Sequence, residues 1–420
     1  MLETAFDIKE HLRNFTYNEA NDLFAASKKT TISSYIVDSG ESIPVYINEF
    51  WTSRQRQASS IHEVSYRACF KPQLPKFFIE LLTKEGDYVY DPFAGRGTTV
   101  IESALMKRRV VANDINPLSK ILCCPRLAPP CLEDISRKLN SIPIRTELTS
   151  DIDLSMFFHH DTLAEILSLR QYLYERQCNG EEDNTDSWIR MIATNRLTGH
   201  SKGFFSVYTL PPNQAVSAKN QLRINERRNQ KPEYRDTKRL IIEKSKSLLK
   251  VLTKDDLSNL SEARKTQIFL KKDARETFEI PDELVQLTVT SPPFLDVVQY
   301  SNDNWLRCWL NHIDADDLGK RITLCKNIGD WADVMTGVFR QLYRITKPGG
   351  YVAFEVGEVK KGKIKLDHYV VGIGLSVGFL CEGIMINDQQ FTKTANIWGI
   401  LNNEKGTNTN RIVIFKKPYH

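Results

Sequence analysis

The sequence lacks several features that would place it outside the soluble globular class. No apolar run approaches the roughly 20 residues that cross a membrane, and the N-terminal MLETAFDIKEHLRNF is too charged for a secretory signal. The eight cysteines form no CxxC pair and have no histidine partner at metal-ligand spacing, so neither a disulfide framework nor a metal site is predicted. There is no internal repeat or low-complexity tract. These absences favour a reduced, cytoplasmic protein without a membrane or metal partner.

Positive charge is concentrated in one part of the chain. The formal net charge is only +5, yet residues 219–250 hold eleven Lys and Arg against four Asp and Glu, which leaves the remainder at −2. A local basic patch on a nearly neutral protein indicates a polyanionic partner at one place. A solvated helix face is the simpler alternative for such a run considered alone.

Strand and helix patterns alternate in two separated parts of the chain. Residues 1–60 are weakly periodic and are predicted to form a mostly helical N-terminal arm. YVYD, TTVIESALMK and RRVVANDI then predict a strand, a helix and a strand, the βαβ unit of a parallel sheet. The alternation resumes at TQIFLKK and continues to RIVIFKK. One α/β catalytic domain, residues 61–120 and 266–420, is therefore predicted, interrupted by a mostly helical insertion at 121–265.

A nucleoside site is predicted at the ends of the first three strands of this domain. Gly95 and Gly97 follow the first strand and allow close backbone approach, and the helix that begins near Thr98 offers free amides. Asp114, after the second strand, stands where an acid accepts ribose hydroxyls. Asp273, after the third, can accept a proton from an adenine amino group. An ordinary βα turn and capping or surface acids are the alternatives for each feature taken alone.

The stretch LTVTSPPF ends a strand in an unusual way. Pro292 and Pro293 cannot extend a ladder and hold the loop stiffly at the strand's C-terminal end. Ser291 Oγ and the Pro292 carbonyl are therefore candidate acceptors for the exocyclic amine of a nucleobase, which makes its nitrogen more nucleophilic, and Phe294 can stack on the base. A base in a duplex reaches such a pocket only by flipping out.

These segments resemble an ordered set of motifs in one enzyme family. DPFAGRGTT and TSPPF resemble motifs I and IV of the S-adenosylmethionine-dependent DNA amino-methyltransferases, and HEVSYRACFKPQLPKF resembles their motif X. The resemblance covers roughly residues 60–130 and 190–417. It implies a Rossmann-like seven-stranded methyltransferase sheet with a target-recognition insertion, although here the insertion precedes the Asp273 strand. The implied cofactor is S-adenosylmethionine, with contacts from Asp91, Phe93, Gly95, Gly97, Thr98, Asp114 and Asp273.

The resemblance also implies a reaction and a partner. Ser291, Pro292, Pro293 and Phe294 would be the catalytic tetrapeptide, and the serine favours N4 of cytosine over N6 of adenine. A C5-cytosine enzyme is not expected, because Cys124-Pro125 has the nucleophile before the proline and in the wrong place. An RNA amino-methyltransferase and a catalytically silent DNA-binding protein remain alternatives.

The implied partner is double-stranded DNA, bound by the basic insertion. The candidate phosphate contacts are Arg223, Arg227, Arg228, Lys231 and Arg235. A cognate restriction endonuclease acting on the same site is a further candidate partner.

Overall fold

The protein was analysed as a computed structural model that includes side chains. The structure describes residues 6–17, 28–37, 40–51, 58–67, 69–210, 216–293, 300–322, 325, 327–359, 364–388 and 409–419. Among these residues no helix combines the length and the apolar character needed to span a bilayer.

A nine-stranded mixed sheet organises the described chain. The strands are β1 Thr16–Tyr17, β2 Lys28–Lys29, β3 Thr31–Ile36, β4 Ser42–Asn48, β5 Tyr88–Asp91, β6 Arg109–Asn113, β7 Ile268–Leu270, β8 Val285–Thr290, β9 Thr346–Val356, β10 Glu358–Val359, β11 Ile364–Lys365, β12 Leu380–Asp388 and β13 Thr409–Lys416. Their order in the large sheet is β3-β4-β12-β13-β9-β8-β5-β6-β7, while β1 pairs with β2 and β10 with β11. Strands β7, β6, β5, β8 and β9 run parallel, and β13 is antiparallel to both of its neighbours.

The seven strands from β7 to β12 correspond to the predicted Rossmann-like sheet, and two more extend it. The extension corrects the expectation of a mostly helical N-terminal arm: only Ile8–Asn14 is α-helical among the described residues of that arm, while β4 pairs in parallel with β12. The alternating side chains of SIPVYIN bury Ile43 and Val45. The period-two pattern is short, and β3 beside it is almost wholly exposed, so the hydrophobic signal in the sequence was weak.

Helices cover the faces of the sheet and fill the chain between β6 and β7. They are α1 Ile8–Asn14, α2 Gln73–Leu82, α3 Thr98–Leu105, α4 Pro117–Cys123, α5 Leu132–Ser141, α6 His160–Cys178, α7 Asn184–Arg196, α8 Ala218–Arg228, α9 Thr237–Leu249, α10 Lys254–Thr266, α11 Tyr300–Leu310, α12 Ala315–Arg321, α13 Ile328–Ile345 and α14 Leu366–Val377. Short 3₁₀ helices occupy Ser60–His62 and Cys124–Leu127. The buried face of α13 packs with α14 and β9 in one core, whereas α5, α7, α9 and α10 join α3 in another.

The strand order creates a crevice at the carboxyl ends of the central strands. From β5 the chain proceeds to β6 and β7 on one side, and it later returns to place β8 and β9 on the other. Loops that leave β5 and β8 therefore diverge at this point, which is where open α/β sheets bind ligands.

Candidate active site

The crevice is a cleft with about 1320 Å³ of empty space counted out to its open mouth. Most of the predicted cofactor and catalytic residues meet there: Asp91, Phe93, Gly95, Thr98, Asp114, Asp273, Ser291, Pro292 and Pro293 all line it. Phe294 lies outside the described residues.

The two glycines of the turn after β5 do different things. Gly95 lines the cleft, and its N–H donates to the Asp114 carboxylate at 2.8 Å. Gly97 is not among the lining residues; it precedes α3 with a φ of +77°, and a Cβ there would come within 2.3 Å of Cys123 Sγ. Gly97 is thus required by backbone conformation and by packing on Cys123, which is a different reason from the close ligand approach that the sequence suggested.

Asp91 is a buried carboxyl at the end of β5. It accepts hydrogen bonds from the Thr290 hydroxyl at 2.7 Å and from the Phe93 N–H at 3.1 Å. Burial raises the pKa of Asp91 to about 7, against the opposing effect of these hydrogen bonds. No cationic side chain is among the main influences on its pKa, so Asp91 is suited to a positively charged group of a ligand.

The acids after β6 and β7 have contrasting surroundings. Asp114 accepts N–H groups of Gly95 at 2.8 Å and Asn116 at 2.9 Å, and burial raises its pKa to about 6. Asp273 is half-buried and pairs with the guanidinium of Arg275 at 2.6 Å, which holds its pKa below the usual range. Asp114 therefore has no charged partner among the described residues, whereas Asp273 already has one.

Asn113 joins the loops that carry these acids. Its amide donates to the carbonyls of Pro92 at 3.2 Å and Lys272 at 2.9 Å, and its side-chain oxygen accepts from the Lys272 N–H at 3.0 Å. This buried residue fixes the ends of β5, β6 and β7 relative to one another. Asn113 was not among the site residues predicted from the sequence, although a polar residue at the end of the apolar run VVAN was a usable signal.

The segment that resembles motif X forms a wall of the cleft. It contributes Tyr66, Arg67, Cys69 and Phe70. Arg96, between the two glycines of the turn, donates to the carbonyls of Val64 at 3.0 Å and Phe70 at 3.3 Å. The glycine turn and this wall are consequently tied by one guanidinium.

The Ser-Pro-Pro segment after β8 is held from two sides. The Ser291 hydroxyl hydrogen-bonds to Glu355, a buried residue of β9 whose pKa is raised by burial. Asn410 donates to the same carboxylate at 2.8 Å. The indole N–H of Trp331, on α13, donates to the carbonyl of Pro293 at 3.1 Å. Neither Glu355 nor Trp331 was predicted from the sequence; a glutamate inside the apolar strand YVAFEV was the one available signal.

The predicted DNA contacts lie outside the cleft lining. Arg223, Arg227 and Lys231 are exposed on or after α8. The Arg228 guanidinium stacks on the ring of Tyr208 at 3.8 Å, and Arg235 is half-buried and pairs with Glu233 at 3.3 Å. The first three are free to meet a polyanion, while Arg235 is partly neutralised within the protein.

Three potential metal ligands also come together in the described chain. His159, His160 and Asp161 place ligand atoms within 4.8 Å of one another at the start of α6. Sequence spacing did not predict this group. His160 and Asp161 are exposed, and the His159 ring accepts the Asp161 N–H as a helix cap.

Comparison with known proteins supports the relationship suggested by the motifs. Residues 12–120 match the family model of DNA methylases that carries the N6 and N4 designation. The chain is 26% identical to the type II methyltransferase M.MvaI of Kocuria varians over 259 residues, 55% of this chain and 52% of that protein. It is 24% identical to the type II methyltransferase M.MjaII of Methanocaldococcus jannaschii over 145 residues, 33% of this chain and 27% of that protein. The chain thus spans about half the length of the first relative and a quarter of the second.

Among solved structures, TrmN from Thermus thermophilus is similar over 84% of this chain and 50% of its own, at 12% identity and a TM-score of 0.30. The fold assignment therefore depends on the strand order described above. The strand order is that of an α/β protein with a Rossmann-like sheet. The sequence matches confirm that the chain is related to the S-adenosylmethionine-dependent DNA amino-methyltransferases.

Proposed function

We propose that the protein is a site-specific DNA methyltransferase that moves a methyl group from S-adenosylmethionine to the N4 amine of a flipped cytosine. The observation that carries the proposal is the cleft itself. It brings the glycine turn, the uncompensated acids Asp91 and Asp114, and the Ser291-Pro292-Pro293 segment to one edge of the sheet.

The residues of the cleft fit this cofactor. S-adenosylmethionine supplies an electrophilic methyl group on a sulfonium, and it also carries an ammonium group. Buried carboxylates without a cationic partner, such as Asp91, favour a ligand with positive charge. Asp114 uses one lone pair of each oxygen on Gly95 and Asn116, so of its roughly four acceptor sites about two remain for ribose hydroxyls.

Ser291 would prepare the amine of the target base. Its hydroxyl has one proton, and a carboxylate such as Glu355 can only accept it, so the lone pairs of Ser291 Oγ remain available to an N–H of the base. The cofactor would supply the methyl group, and its sulfur would keep the electron pair of the carbon–sulfur bond as the amine nitrogen bonds to the methyl carbon. The nitrogen then has a surplus proton, which Ser291 Oγ can accept while it gives its own proton to Glu355.

The remaining parts of the proposal concern substrate and location. Phe294 stacks on the flipped base, and Asp273 accepts from the adenine amine of the cofactor. Arg223, Arg227, Arg228, Lys231 and Arg235 contact DNA phosphates. The enzyme acts in the cytoplasm on double-stranded DNA, with a cognate restriction endonuclease as a candidate partner at the same site. Serine in the tetrapeptide favours cytosine, and N6 of adenine is the second candidate.

Mass spectrometry of nucleosides tests the function directly. The purified protein is incubated with S-adenosylmethionine and unmethylated DNA, and in parallel with RNA, and both are digested to nucleosides. N4-methylcytosine from DNA supports the proposal, and N6-methyladenine would retain the cofactor and site but change the base. Methylation of RNA alone would contradict the DNA substrate, and cofactor binding without any product would indicate a silent DNA-binding protein.

A further inference from the structure

A group of cations lies beside the cleft, outside the residues assigned above. Arg196 ends α7, and Lys244 lies within α9. Lys244 Nζ is 3.4 Å from a carboxylate oxygen of Glu63, but the two side chains differ in exposure, 11% for the lysine and 61% for the glutamate. Lys244 is therefore largely desolvated, whereas Glu63 is mostly in water. An ion pair with such an exposed partner contributes little to stability.

Arg196 is bound incompletely by the described residues. Its guanidinium lies 4.2 Å above the ring of Phe204, and one amino group donates to Asn195 Oδ1 at 3.2 Å. Its Nε is buried and has no hydrogen-bond partner among the described residues. A buried donor without an acceptor is destabilising, so the guanidinium favours an incoming acceptor.

Charge in the group is out of balance. Burial lowers the pKa of Lys244, and Arg196 lowers it further. Burial, and then Arg307, lower the pKa of Arg196 to about 10. Glu63 acts on both Arg196 and Lys244 in the opposite direction. Arg196 and Lys244 thus share the one exposed carboxylate of Glu63, and partial burial makes this excess of positive charge costly without an anion.

The group adjoins both the cleft and the basic helix. The carbonyl of Ser65 accepts from Asn195 at 2.9 Å and from Arg307 at 3.1 Å, and the next residues, Tyr66 and Arg67, line the cleft. On the other side, the segment from 199 to 209 carries Phe204, on which Arg196 stacks, and Tyr208, on which Arg228 of α8 stacks. A DNA strand that reached from α8 to the cleft would meet Arg196 and Lys244.

We propose that Arg196 and Lys244 together bind a backbone phosphate of the DNA strand that delivers its base to the cleft. When DNA is absent, the Glu63 carboxylate takes the place of this phosphate beside the two cations. The proposal depends on the proposed function, because it assigns a contact to the same substrate. Arg196 would offer its planar edge to two phosphate oxygens, and Lys244 would act as a point charge. Glu63 competes with the phosphate for Lys244, so removal of the Glu63 charge should strengthen DNA binding.

Salt-dependent DNA binding tests this assignment. Fluorescence anisotropy with a labelled 30-base-pair duplex is recorded between 50 and 200 mM salt for the native protein and for Arg196→Gln, Lys244→Gln, Lys244→Arg and Glu63→Gln. Lys76→Gln is the matched control, because Lys76 is an exposed cation on α2, outside the basic patch, that pairs with Glu80 at 3.8 Å. The same samples are assayed for methylated nucleosides, for cofactor binding and for thermal unfolding.

Replacing the acid Glu63 should change DNA affinity in the opposite direction from replacing the cations Arg196 and Lys244. Arg196→Gln and Lys244→Gln should each weaken DNA binding about 10-fold and reduce the steepness of log K against log salt by up to about 0.9, the contribution of the one phosphate that they share. Lys244→Arg should retain the native slope, and Glu63→Gln should tighten binding about threefold. A purely structural ion pair would instead make Glu63→Gln and Lys244→Gln change stability alike and leave DNA affinity alone.

Three results would overturn the inference. If the native protein methylates DNA and Arg196→Gln and Lys244→Gln keep its salt slope, the phosphate lies elsewhere while the function stands. If only RNA binding is weakened in these variants, the group serves a different polyanion. If the native protein neither binds nor methylates DNA, the proposed function fails, and this contact fails with it.

Discussion

The indole nitrogen of Trp331 donates a hydrogen bond to the carbonyl oxygen of Pro293, 3.1 Å away. Trp331 is almost fully buried at the start of α13 and also lines the cleft. Because proline supplies no N–H of its own, this bond is a means by which the core can fix the orientation of the loop after β8. Trp331 is thus a positioning residue for Ser291 and the Pro292 carbonyl.

Replacing Trp331 by phenylalanine should impair turnover more than cofactor binding. The aromatic volume is largely kept, but the Pro293 carbonyl loses its donor, a change worth about 1 kcal/mol. We expect kcat to fall about fivefold and the cofactor dissociation constant to change less than twofold. Trp309→Phe is the control, since Trp309 donates to Asp151 at 3.0 Å away from the cleft lining. Equal losses of kcat in both variants would contradict a specific role for Trp331.

The Ser291–Glu355 hydrogen bond should appear in the pH profile of the reaction. Burial raises the pKa of Glu355, so its carboxylate becomes protonated, and stops accepting from Ser291, at a higher pH than an ordinary glutamate of pKa about 4.3. Turnover of the native enzyme should therefore fall as the pH decreases through that raised pKa. Glu355→Gln should lower kcat about 10- to 100-fold and remove the acidic limb of the profile. Ser291→Ala should lower kcat by a similar factor and leave cofactor affinity nearly unchanged.

Glu382→Gln provides the matched control for Glu355. Glu382 is also a strand glutamate with the same 9% exposure, but it lies on β12 and pairs with Lys9 at 3.4 Å. A native acidic limb that persists in Glu355→Gln, or activity of Ser291→Ala equal to the native enzyme, would remove the proposed polarising role.

The parts of the site that follow strand ends could be predicted from the sequence, because periodicity and chain punctuation are local signals. Asp91, Gly95, Asp114, Asp273 and Ser291 come from four strands, and they line one cleft because parallel strands present their carboxyl ends on the same edge.

Contacts made across the sheet could not be predicted in this way. Glu355 reaches Ser291 from the neighbouring strand, and Trp331 reaches Pro293 from a helix that follows. Nothing local in either residue's surroundings specifies its partner. Gly97 was predicted from the sequence to allow close approach of a ligand; the structure shows a positive φ and packing against Cys123 at this position, and neither is a local signal in the sequence.

The exposed arginines of α8 should contribute to DNA binding through their charge. Arg227 and Arg228 lie in the last turn of that helix. Replacing both by glutamine should make log K fall less steeply with log salt, by up to about 1.8 in the slope. Binding measurements over a salt series, with Arg137→Gln on α5 as the control, would check this. An unaltered slope would place the DNA on another surface.

Cofactor affinity should depend on pH through Asp114. Its pKa is raised to about 6 by burial, so the carboxylate that would accept ribose hydroxyls is lost as the pH falls through that value. The dissociation constant for S-adenosylmethionine, measured by calorimetry from pH 5.5 to 8, should therefore rise at the acidic end. Asp114→Asn should weaken binding about 10-fold at pH 7.5, and Asp255→Asn, on α10, should not. A constant affinity across the range would remove the assignment.

Asp91 should make the cofactor-free protein less stable as the pH rises. Its folded pKa of about 7 lies above an unfolded value of about 3.9. The folded state therefore binds more protons than the unfolded state in that window, so this group reduces the free energy of unfolding as the pH rises from about 4 to about 7. Asp91→Asn should lose this pH dependence, because the amide does not titrate. The variant should still fold, because the hydroxyl of Thr290 can reorient to the amide.

Urea unfolding of both proteins at pH 5 and pH 7.5 measures the difference. The native protein should lose more stability than Asp91→Asn between the two pH values. This difference in lost stability, the gap between the two proteins, should narrow when S-adenosylmethionine is present, since a cationic ligand would compensate the ionised Asp91. Parallel pH dependence in the two proteins would show that Asp91 titrates as an ordinary carboxyl. A gap that the cofactor leaves unchanged would place the cofactor's positive groups away from Asp91.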